Sequence, residues 1–273
     1  MTTLGDNAIR AMFGVAGTKD REVELSWCAI TDVGKRRESN QDSFVVHPPL
    51  FSVADGMGGH ALGEVASGAV VRNLKQLADE GEVSRESLNS ALSRAVDAIE
   101  LEAGDAELGA GTTVTGVFLT HDEGEPIWNV FNIGDSRVYQ YFRGALSQIT
   151  VDHSVVQHLI ATGQISEDEA EYHPHANVIT RAVGFNEEPV PDFDALALVP
   201  GQRLLICSDG LTKELTDNGI AHFLAEAKTV EEAAQKLVDE ALNNSGRDNV
   251  TVIVIEVHAV GDLRDTTDLS ASI

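Results

Sequence analysis

Short apolar segments separated by tight turns are the feature of this chain that most restricts its fold. Four of them follow one another between residues 112 and 150: TTVTGVFLT, IWNVFNI, RVYQYF and LSQIT. Parallel neighbours would need crossover connections of a dozen or more residues, whereas hairpins need only a few. The spacing therefore predicts antiparallel hairpins, with Arg143-Gly144 in the last turn.

Further strands and helices lie on both sides of this block. Apolar residues recur at helical spacing over 62–77 and 88–99, and the capping box of Thr229 and Glu232 predicts another helix. Strand-like segments occur at 25–30, 43–53, 178–183, 192–198, 203–208 and 249–257. Because helices and strands do not alternate as βαβ units, we expect an α+β fold in which helices cover packed antiparallel β-sheets.

The chain is expected to form one domain over residues 23–258, because no Pro-, Ser- or Gly-rich linker interrupts it. Residues 1–22 have weak periodicity and are interpreted as a loosely docked N-terminal extension, and residues 259–273 as a C-terminal tail. Residues 152–177 differ in character, with two short helical segments and an irregular stretch. They are interpreted as an inserted subdomain.

Acidic residues dominate the charge, since 44 Asp and Glu face 19 Lys and Arg, for a net charge of −25. Nucleic acid and anionic membranes are disfavoured as partners because both reward clustered positive charge. The first residues lack a basic region followed by a long apolar stretch, so we expect no membrane insertion and a cytoplasmic location. Cys28 and Cys207 lie in apolar segments without a CxxC partner and are expected to be buried thiols.

Four carboxylates stand at predicted strand ends. They are Asp55 after LFSVA, Asp135 after IWNVFNI, Asp209 after RLLICS, and Asp248 before NVTVIVIEV. Any one of them beside glycine is usually a turn signal, but a rigid strand end also fixes a carboxylate where a small neighbour leaves room for a ligand. If these ends converge, the oxygen-only site suits Mg²⁺ or Mn²⁺ better than zinc.

A phosphate site also needs a fixed cation, and Arg37 in RRESNQD is the best candidate. A guanidinium grips a phosphoryl group through two parallel hydrogen bonds. The alternative is a solvated basic turn, since Lys35 and Arg36 are adjacent.

Six segments together resemble the type 2C (PPM) metal-dependent Ser/Thr protein phosphatases, most of all the bacterial branch. They are RESNQD at 37–42, DGMGGHALGE at 55–64, GTT at 111–113, GDSR at 134–137, CSDG at 207–210 and GRDNVT at 246–251. The resemblance covers about residues 23–258. It implies a four-layer αββα sandwich with two antiparallel sheets and a small flap subdomain at about 152–177.

The resemblance also implies a set of metal ligands for two or three Mn²⁺ or Mg²⁺ ions. Asp55 would bridge two ions, the Gly56 carbonyl would bind one, and Asp209 and Asp248 would complete the other. Asp135, together with Asp209, would hold a third, weaker ion.

The activity implied is hydrolysis of phosphoserine and phosphothreonine in proteins by direct attack of a metal-bridging water or hydroxide. Arg37 would bind the substrate phosphate, and Asp42 would orient metal-bound waters. Phosphorylated proteins would be the partners, together with a bacterial Ser/Thr protein kinase whose action the enzyme reverses.

One residue departs from the animal members of the family. Met57 replaces the histidine proposed there as general acid, and methionine cannot donate a proton. His60 and His153 are near in sequence, but surface or helix-cap roles are expected for both.

Two alternatives have specific residues behind them. Gly56, Gly58 and Ala61 after an apolar strand fit a dinucleotide-binding G-x-G-x-x-A turn, with Asp79 near the ribose-binding distance. That interpretation leaves Asp209 and Asp248 unexplained and lacks alternating βαβ units. A catalytically dead, phosphoprotein-binding scaffold is the second alternative, but it would be expected to lack a core metal ligand, and all are present.

Overall fold

The computed structural model describes residues 1–18, 21–58, 62–104, 109–170, 172–185 and 188–262. Its strands are β1 (Thr3–Leu4), β2 (Ala8–Gly14), β3 (Arg21–Asp32), β4 (Asp42–His47), β5 (Leu50–Met57), β6 (Gly111–Thr112), β7 (Val114–Asp122), β8 (Glu125–Ile133), β9 (Arg137–Phe142), β10 (Ala145–Gln148), β11 (Val183–Gly184), β12 (Asp192–Ala197), β13 (Arg203–Cys207) and β14 (Val250–Asp262). Its helices are α1 (Leu62–Asp79), α2 (Arg85–Ala103), α3 (Val155–Ala161), α4 (Glu167–Ala170), α5 (Asp209–Thr212), α6 (Asp217–Glu226) and α7 (Val230–Asn244).

The strands form two sheets. The first runs β1-β4-β5-β7-β8-β12, with β6 beside β5 and β11 beside β6, and the second runs β10-β9-β13-β14-β3-β2. Neighbours pair antiparallel except β1 and β4, which are parallel. The prediction of packed antiparallel sheets covered by helices is confirmed.

The core has three hydrophobic layers because side chains alternate across each strand. Val45 faces the layer under α1 and α2, whereas the next residue, Val46, faces the layer between the sheets. On the second sheet Ile206 faces the same central layer, and Leu205 faces α6 and α7. Full burial of each such side chain contributes about 1.5–3 kcal/mol, so a one-residue slip of any central strand would be costly.

Turn chemistry explains the tight hairpins that the sequence indicated. Arg143 and Gly144 both adopt positive φ, 52° and 83°, between β9 and β10. Glu123 and Gly124 do the same between β7 and β8, at 49° and 87°. Two consecutive left-handed residues match the right-handed twist of the flanking strands, so these turns fix the strand register.

The helices confirm most of the periodicity and capping signals. Helices α1 and α2 cover the two predicted apolar stretches, and the Thr229 side chain caps α7 by accepting from Glu232 N. Helices α5 and α6 were not predicted. The strand predicted at 178–183 is wrong: only an isolated bridge at Ile179 and the two-residue β11 form there.

The N-terminal residues attach to both sheets. Strand β1 pairs with β4 and strand β2 with β3, and Trp27 Nε1 donates to the Asp6 carbonyl at 2.8 Å. Weak periodicity did not indicate this attachment; β1 pairs with the more distant β4, and β2 forms a hairpin with β3. Strand β3 begins at Arg21, just before the proposed boundary at residue 23, and the division into extension, domain and tail stays a prediction.

The topology does not support dinucleotide binding. Strand β5, which precedes the glycine-containing turn, pairs antiparallel with β4 and β7, so its described pairings are not those of a parallel βαβ unit. Asp79 pairs with Lys75 and His47 at the end of α1, and Ala61 lies outside the described residues. Among the described helices, none is both long and apolar enough to cross a membrane.

Candidate metal centre

The predicted strand ends converge at one edge of the two sheets. Asp55 lies near the end of β5, Asp135 between β8 and β9, Asp209 directly after β13, and Asp248 just before β14. All four line a cavity of about 280 Å³. The other lining residues are Arg37, Gln41, Gly56, Met57, Gly58, Thr113, Asn177, Ile179, Lys213 and Asn249.

Asp55 is held in place by the GTT segment. Its backbone N–H donates to Thr113 Oγ1 at 3.0 Å, and its carbonyl accepts from Thr113 N at 2.9 Å and from Thr112 Oγ1 at 2.8 Å. Thr113 Oγ1 also lies 2.8 Å from Ser136 Oγ, next to Asp135. The two threonines therefore fix the backbone of one candidate ligand and tie it to the loop that carries another.

The glycines beside these carboxylates make room for backbone. A Cβ on Gly210 would lie 1.8 Å from the Asn249 carbonyl oxygen, and one on Gly56 would lie 2.0 Å from the Gly63 carbonyl oxygen. Gly134 adopts φ 109° and its Cβ would meet Thr113. The expectation that small neighbours leave space for a ligand therefore needs correction, because close approach of chain segments is what requires them.

Asp42 is fully buried directly opposite Asp55 on the neighbouring strand. Its Oδ2 accepts from Ser208 Oγ at 2.8 Å and from Thr251 Oγ1 at 2.6 Å. Burial raises the pKa of Asp42 to about 6, with the nearby carboxylates adding to the shift and the two hydroxyls opposing it. These hydroxyls join β4 to β13 and β14, so Asp42 links the two sheets at the site.

Burial and mutual repulsion also raise the pKa of two cavity carboxyls. The pKa of Asp135 rises to about 7, first through burial and then through the charges of Asp209 and Asp152. The pKa of Asp55 rises well above its usual value, through burial and then through its neighbouring aspartates. The rest of the fold therefore leaves part of the repulsion between these carboxylates uncompensated. Such an arrangement is typical of ligand and catalytic sites.

Two side-chain cations enter the cluster. Arg37 pairs with Asp248 in a bidentate manner, Nε 2.8 Å from Oδ1 and Nη2 2.9 Å from Oδ2. Lys213 Nζ contacts Asp209 and lies 3.3 Å from Asp248 Oδ2. Although burial opposes the shift, the hydrogen bond from Arg37 and the charge of Lys213 lower the pKa of Asp248.

Asn249 fixes the loop that carries Arg37. Its Nδ2 donates to the carbonyls of Val33 and Ser39, both at 2.9 Å, and its Oδ1 accepts from Gln41 N at 2.8 Å. One amide side chain thus holds both ends of the 33–41 loop beside Asp248. Sequence reasoning missed this role, although an Asn directly after a candidate ligand is a signal for such a clamp.

The donor set fits a hard divalent cation. Asp42 Oδ1 and Asp209 Oδ1 are buried and have no hydrogen-bond partner within the described part of the chain. Oxygen atoms are the donors at this edge, which Mg²⁺ and Mn²⁺ prefer. In the described residues no three Asp, Glu, His or Cys side chains already form a metal-binding group. Lys213 and Arg37 occupy carboxylate oxygens of Asp209 and Asp248 that a metal ion would also use.

The flap region contributes to the cavity wall and is anchored by His153. Asn177 at the end of this region and Ile179 just beyond it line the cavity. His153 is buried rather than at the surface: its Nδ1 accepts from Gly134 N at 3.1 Å, and its Nε2 lies 3.0 Å from Asp192 Oδ2. Because Nδ1 accepts, Nε2 carries the proton toward Asp192. The expectation of a surface or cap role for His153 is therefore wrong.

The structure brings the predicted site residues together at one place. Asp55, Gly56, Asp135, Asp209, Asp248 and Arg37 line the same cavity, and Asp42 lies behind it. Arg37 contacts Asp248 here, and its role toward phosphate stays a prediction. His60 lies outside the described residues. Sequence reasoning missed Lys213, Ser208 and Thr251.

Comparison with known proteins gives consistent matches. Residues 34–245 match the family described as Protein phosphatase 2C. The serine/threonine protein phosphatase PstP of Mycobacterium tuberculosis is 38% identical over 239 residues, which are 85% of this chain and 45% of that protein. The serine/threonine phosphatase stp of Listeria monocytogenes is 32% identical over 239 residues. The alignment covers 83% of this chain and 93% of stp. The chain therefore spans about half of PstP and nearly all of stp.

Solved structures agree with these relatives. The crystal structure of M. tuberculosis PstP/Ppp aligns with a TM-score of 0.79 and 36% identity, covering 86% of this chain and 99% of that one. A structure of the PstP catalytic domain in complex with two manganese ions aligns with a TM-score of 0.73 at the same identity and again covers 86% and 99%. The four-layer arrangement is thus the fold of these enzymes.

Proposed function

This chain belongs to the protein phosphatase 2C family, and we propose that it is a metal-dependent protein phosphatase that hydrolyses phosphoserine and phosphothreonine. The observation that carries the proposal is the convergence of Asp55, Asp135, Asp209 and Asp248 on one cavity that also holds Arg37. Bacterial relatives named as serine/threonine phosphatases support the substrate class.

The placement of the carboxylates supports the metal set that the resemblance implies. Asp55 and the Gly56 carbonyl, with Asp209 and Asp248, would hold two Mn²⁺ or Mg²⁺ ions, and Asp135 with Asp209 a third. The two manganese ions in the PstP catalytic domain support the first two. When bound, such ions lower the pKa of water and neutralise phosphoryl oxygens.

Arg37 would bind the phosphoryl group. Its guanidinium already makes a bidentate contact to a carboxylate, at 2.8 and 2.9 Å, and a phosphoryl group offers the same pair of oxygens. Neutralisation of Asp248 by a cation would free the guanidinium for this role. Asn249 keeps the loop in position during the exchange.

Asp42 would orient water in the site. Ser208 and Thr251 occupy its Oδ2 and leave Oδ1 to accept from a water molecule. Met57 also lines the cavity, and a thioether cannot supply a proton to the leaving alkoxide. That proton has to come from water or from another acid than residue 57.

Phosphorylated proteins are the proposed substrates, with a bacterial Ser/Thr protein kinase as the opposing enzyme. This part of the proposal rests on the family and on the names of the relatives. The phosphoprotein-binding scaffold is disfavoured. An inactive enzyme would be expected to lack one or more of these carboxylates, and all four line the cavity.

The test is hydrolysis of p-nitrophenyl phosphate and of matched phosphothreonine and phosphotyrosine peptides, each in EDTA, Mg²⁺ and Mn²⁺. We expect turnover only with a divalent cation and a preference for the phosphothreonine peptide. Absence of turnover above background with both metals would contradict the proposed activity.

A further inference from the structure

Lys213 occupies a position that the proposed chemistry does not account for. It follows the four-residue helix α5 and lies one turn after Asp209. Its ammonium contacts the Asp209 carboxylate and lies 3.3 Å from Asp248 Oδ2. The side chain therefore bridges two carboxylates that are both proposed as metal ligands, one after β13 and one before β14.

The charges of the cluster explain why the ammonium stays there. Four aspartates line the cavity, and among its described lining residues only Arg37 and Lys213 are positive. Arg37 contacts Asp248 and Lys213 contacts Asp209, so Lys213 is the cation that directly compensates the charge of Asp209. An uncompensated carboxylate in this setting would be costly, because the low-dielectric surroundings strengthen repulsion between like charges.

A divalent ion and this ammonium need the same carboxylate oxygens. The Lys213 side chain is 31% exposed, and its four-carbon stem is flexible. The ammonium can therefore leave the pair of carboxylates without any change in the backbone. When the ammonium leaves, its ion pairs with the two carboxylates are lost. The free energy of those ion pairs reduces the net free energy of metal binding.

We propose that Lys213 is a built-in counter-ion that competes with the divalent metal for Asp209 and Asp248. It stabilises the metal-free protein and sets the metal affinity below what the carboxylates alone would give. The inference rests on the proposed metal centre but is separate from catalysis. Lys213 is thus a positioning residue that acts through the ligands.

The test measures metal binding directly. Metal-free wild type and Lys213→Met are titrated with Mn²⁺ in a calorimeter. We expect the dissociation constant of the variant to be lower by about tenfold or more, because removal of a cation a few ångströms away strengthens the attraction of the carboxylates for the metal. Lys213→Arg keeps the charge and should stay close to wild type.

Lys75→Met is the matched control. Lys75 also forms an i,i+4 ion pair with an aspartate, Asp79 at 2.8 Å, and its side chain is exposed to 34%, but it lies at the end of α1 away from the cavity. Both methionine variants remove one positive charge, so long-range effects of the net charge are equal. Lys75→Met should bind Mn²⁺ like wild type.

Thermal unfolding gives a second readout. In EDTA, Lys213→Met should unfold at a lower temperature than Lys75→Met, and saturating Mn²⁺ should raise its Tm by more than it raises that of the control. If the methionine variant does not fold, Lys213→Gln takes its place, since a polar side chain at this partly exposed position retains solvation.

The outcomes separate the two ideas. If wild type binds Mn²⁺ and the dissociation constant of Lys213→Met is equal to or higher than that of wild type, the proposed role of Lys213 is wrong. The proposed metal centre is unaffected by that result. Absence of Mn²⁺ binding by wild type and both methionine variants overturns the metal centre itself.

Discussion

Asp209 combines features that distinguish a ligand from a structural carboxylate. It follows a buried strand, its Oδ1 is buried without a hydrogen-bond partner among the described residues, and its other oxygen contacts Lys213. Although Asp209 is the first residue of α5, the backbone at the start of this helix does not use its Oδ1. The position is therefore built for a cation.

Asp209→Asn should abolish most activity while the fold persists. The amide keeps the shape but loses the charge that binds metal, so kcat should fall about a hundredfold or more. The measurement is Mn²⁺-dependent hydrolysis of p-nitrophenyl phosphate, with circular dichroism to verify folding. Near-normal turnover at saturating metal would refute the role of Asp209.

Arg37→Ala should mainly raise KM. If the guanidinium binds phosphate in the ground state, its loss should weaken substrate binding about tenfold. Arg36→Ala is the control, since the neighbouring arginine is exposed and does not line the cavity. An Arg37→Ala enzyme whose KM and kcat both equal those of the control would exclude the contact with phosphate.

At the scale of elements, one histidine connects the flap to the β8–β9 loop. His153 bonds to Gly134 through both its ring and its backbone, and to Asp192 through Nε2. Its carbonyl accepts from Thr180 N at 2.8 Å, which ties the far end of the flap to the same point. The flap is thus held beside Asp135 by a small buried polar network.

His153→Ala should loosen this connection. Loss of one partner leaves buried polar groups unsatisfied, which costs about 1–3 kcal/mol. We expect a Tm lower by several degrees and a fall in kcat from mispositioning of Asp135. His158→Ala on the exposed side of α3 is the control. The assigned role fails if both variants have the same Tm and kcat.

At the scale of the whole molecule, the charge of the carboxylate cluster works against stability in the absence of metal. Burial holds the pKa of Asp42 at about 6 and that of Asp135 at about 7, both above the value of about 3.8 in an unfolded chain. For such groups the folded state binds protons more tightly than the unfolded state. Their contribution is fully present below about pH 3.8 and is lost as pH rises through the folded pKa values.

Metal-free protein should therefore lose stability from these groups as pH rises from about 4 to about 7. Asp135→Asn cannot ionise, so its Tm in EDTA should fall less between pH 5 and pH 7.5 than that of wild type. Saturating Mn²⁺ should compensate the charge of the Asp135 carboxylate. The change of Tm with pH should then differ less between wild type and Asp135→Asn. A wild-type Tm that tracks Asp135→Asn at every pH would contradict the raised pKa.

The predictable part of the protein is the part coded locally. Neighbouring residues were enough to predict three kinds of feature. These are hairpin turns such as Arg143-Gly144, the apolar periodicity of α1, α2 and α7, and carboxylates placed next to strands. From them follow the antiparallel sheets and the helical covers, whereas the meeting of Asp55, Asp135, Asp209 and Asp248 at one edge was only a condition of the predicted metal site. The strand predicted at 178–183 is wrong because the backbone of this segment pairs only through an isolated bridge at Ile179 and through the two residues of β11.

Tertiary structure alone decided which charges face one another. Nothing near Lys213 in sequence reveals that its ammonium also meets Asp248, which approaches through the pairing of β13 with β14. The same holds for Ser208 and Thr251, whose hydroxyls bond to Asp42 from positions 166 and 209 residues away in sequence. Aspartates at strand ends were a property of the sequence, whereas the balance of charge among them depends on distances that only the packed sheets set.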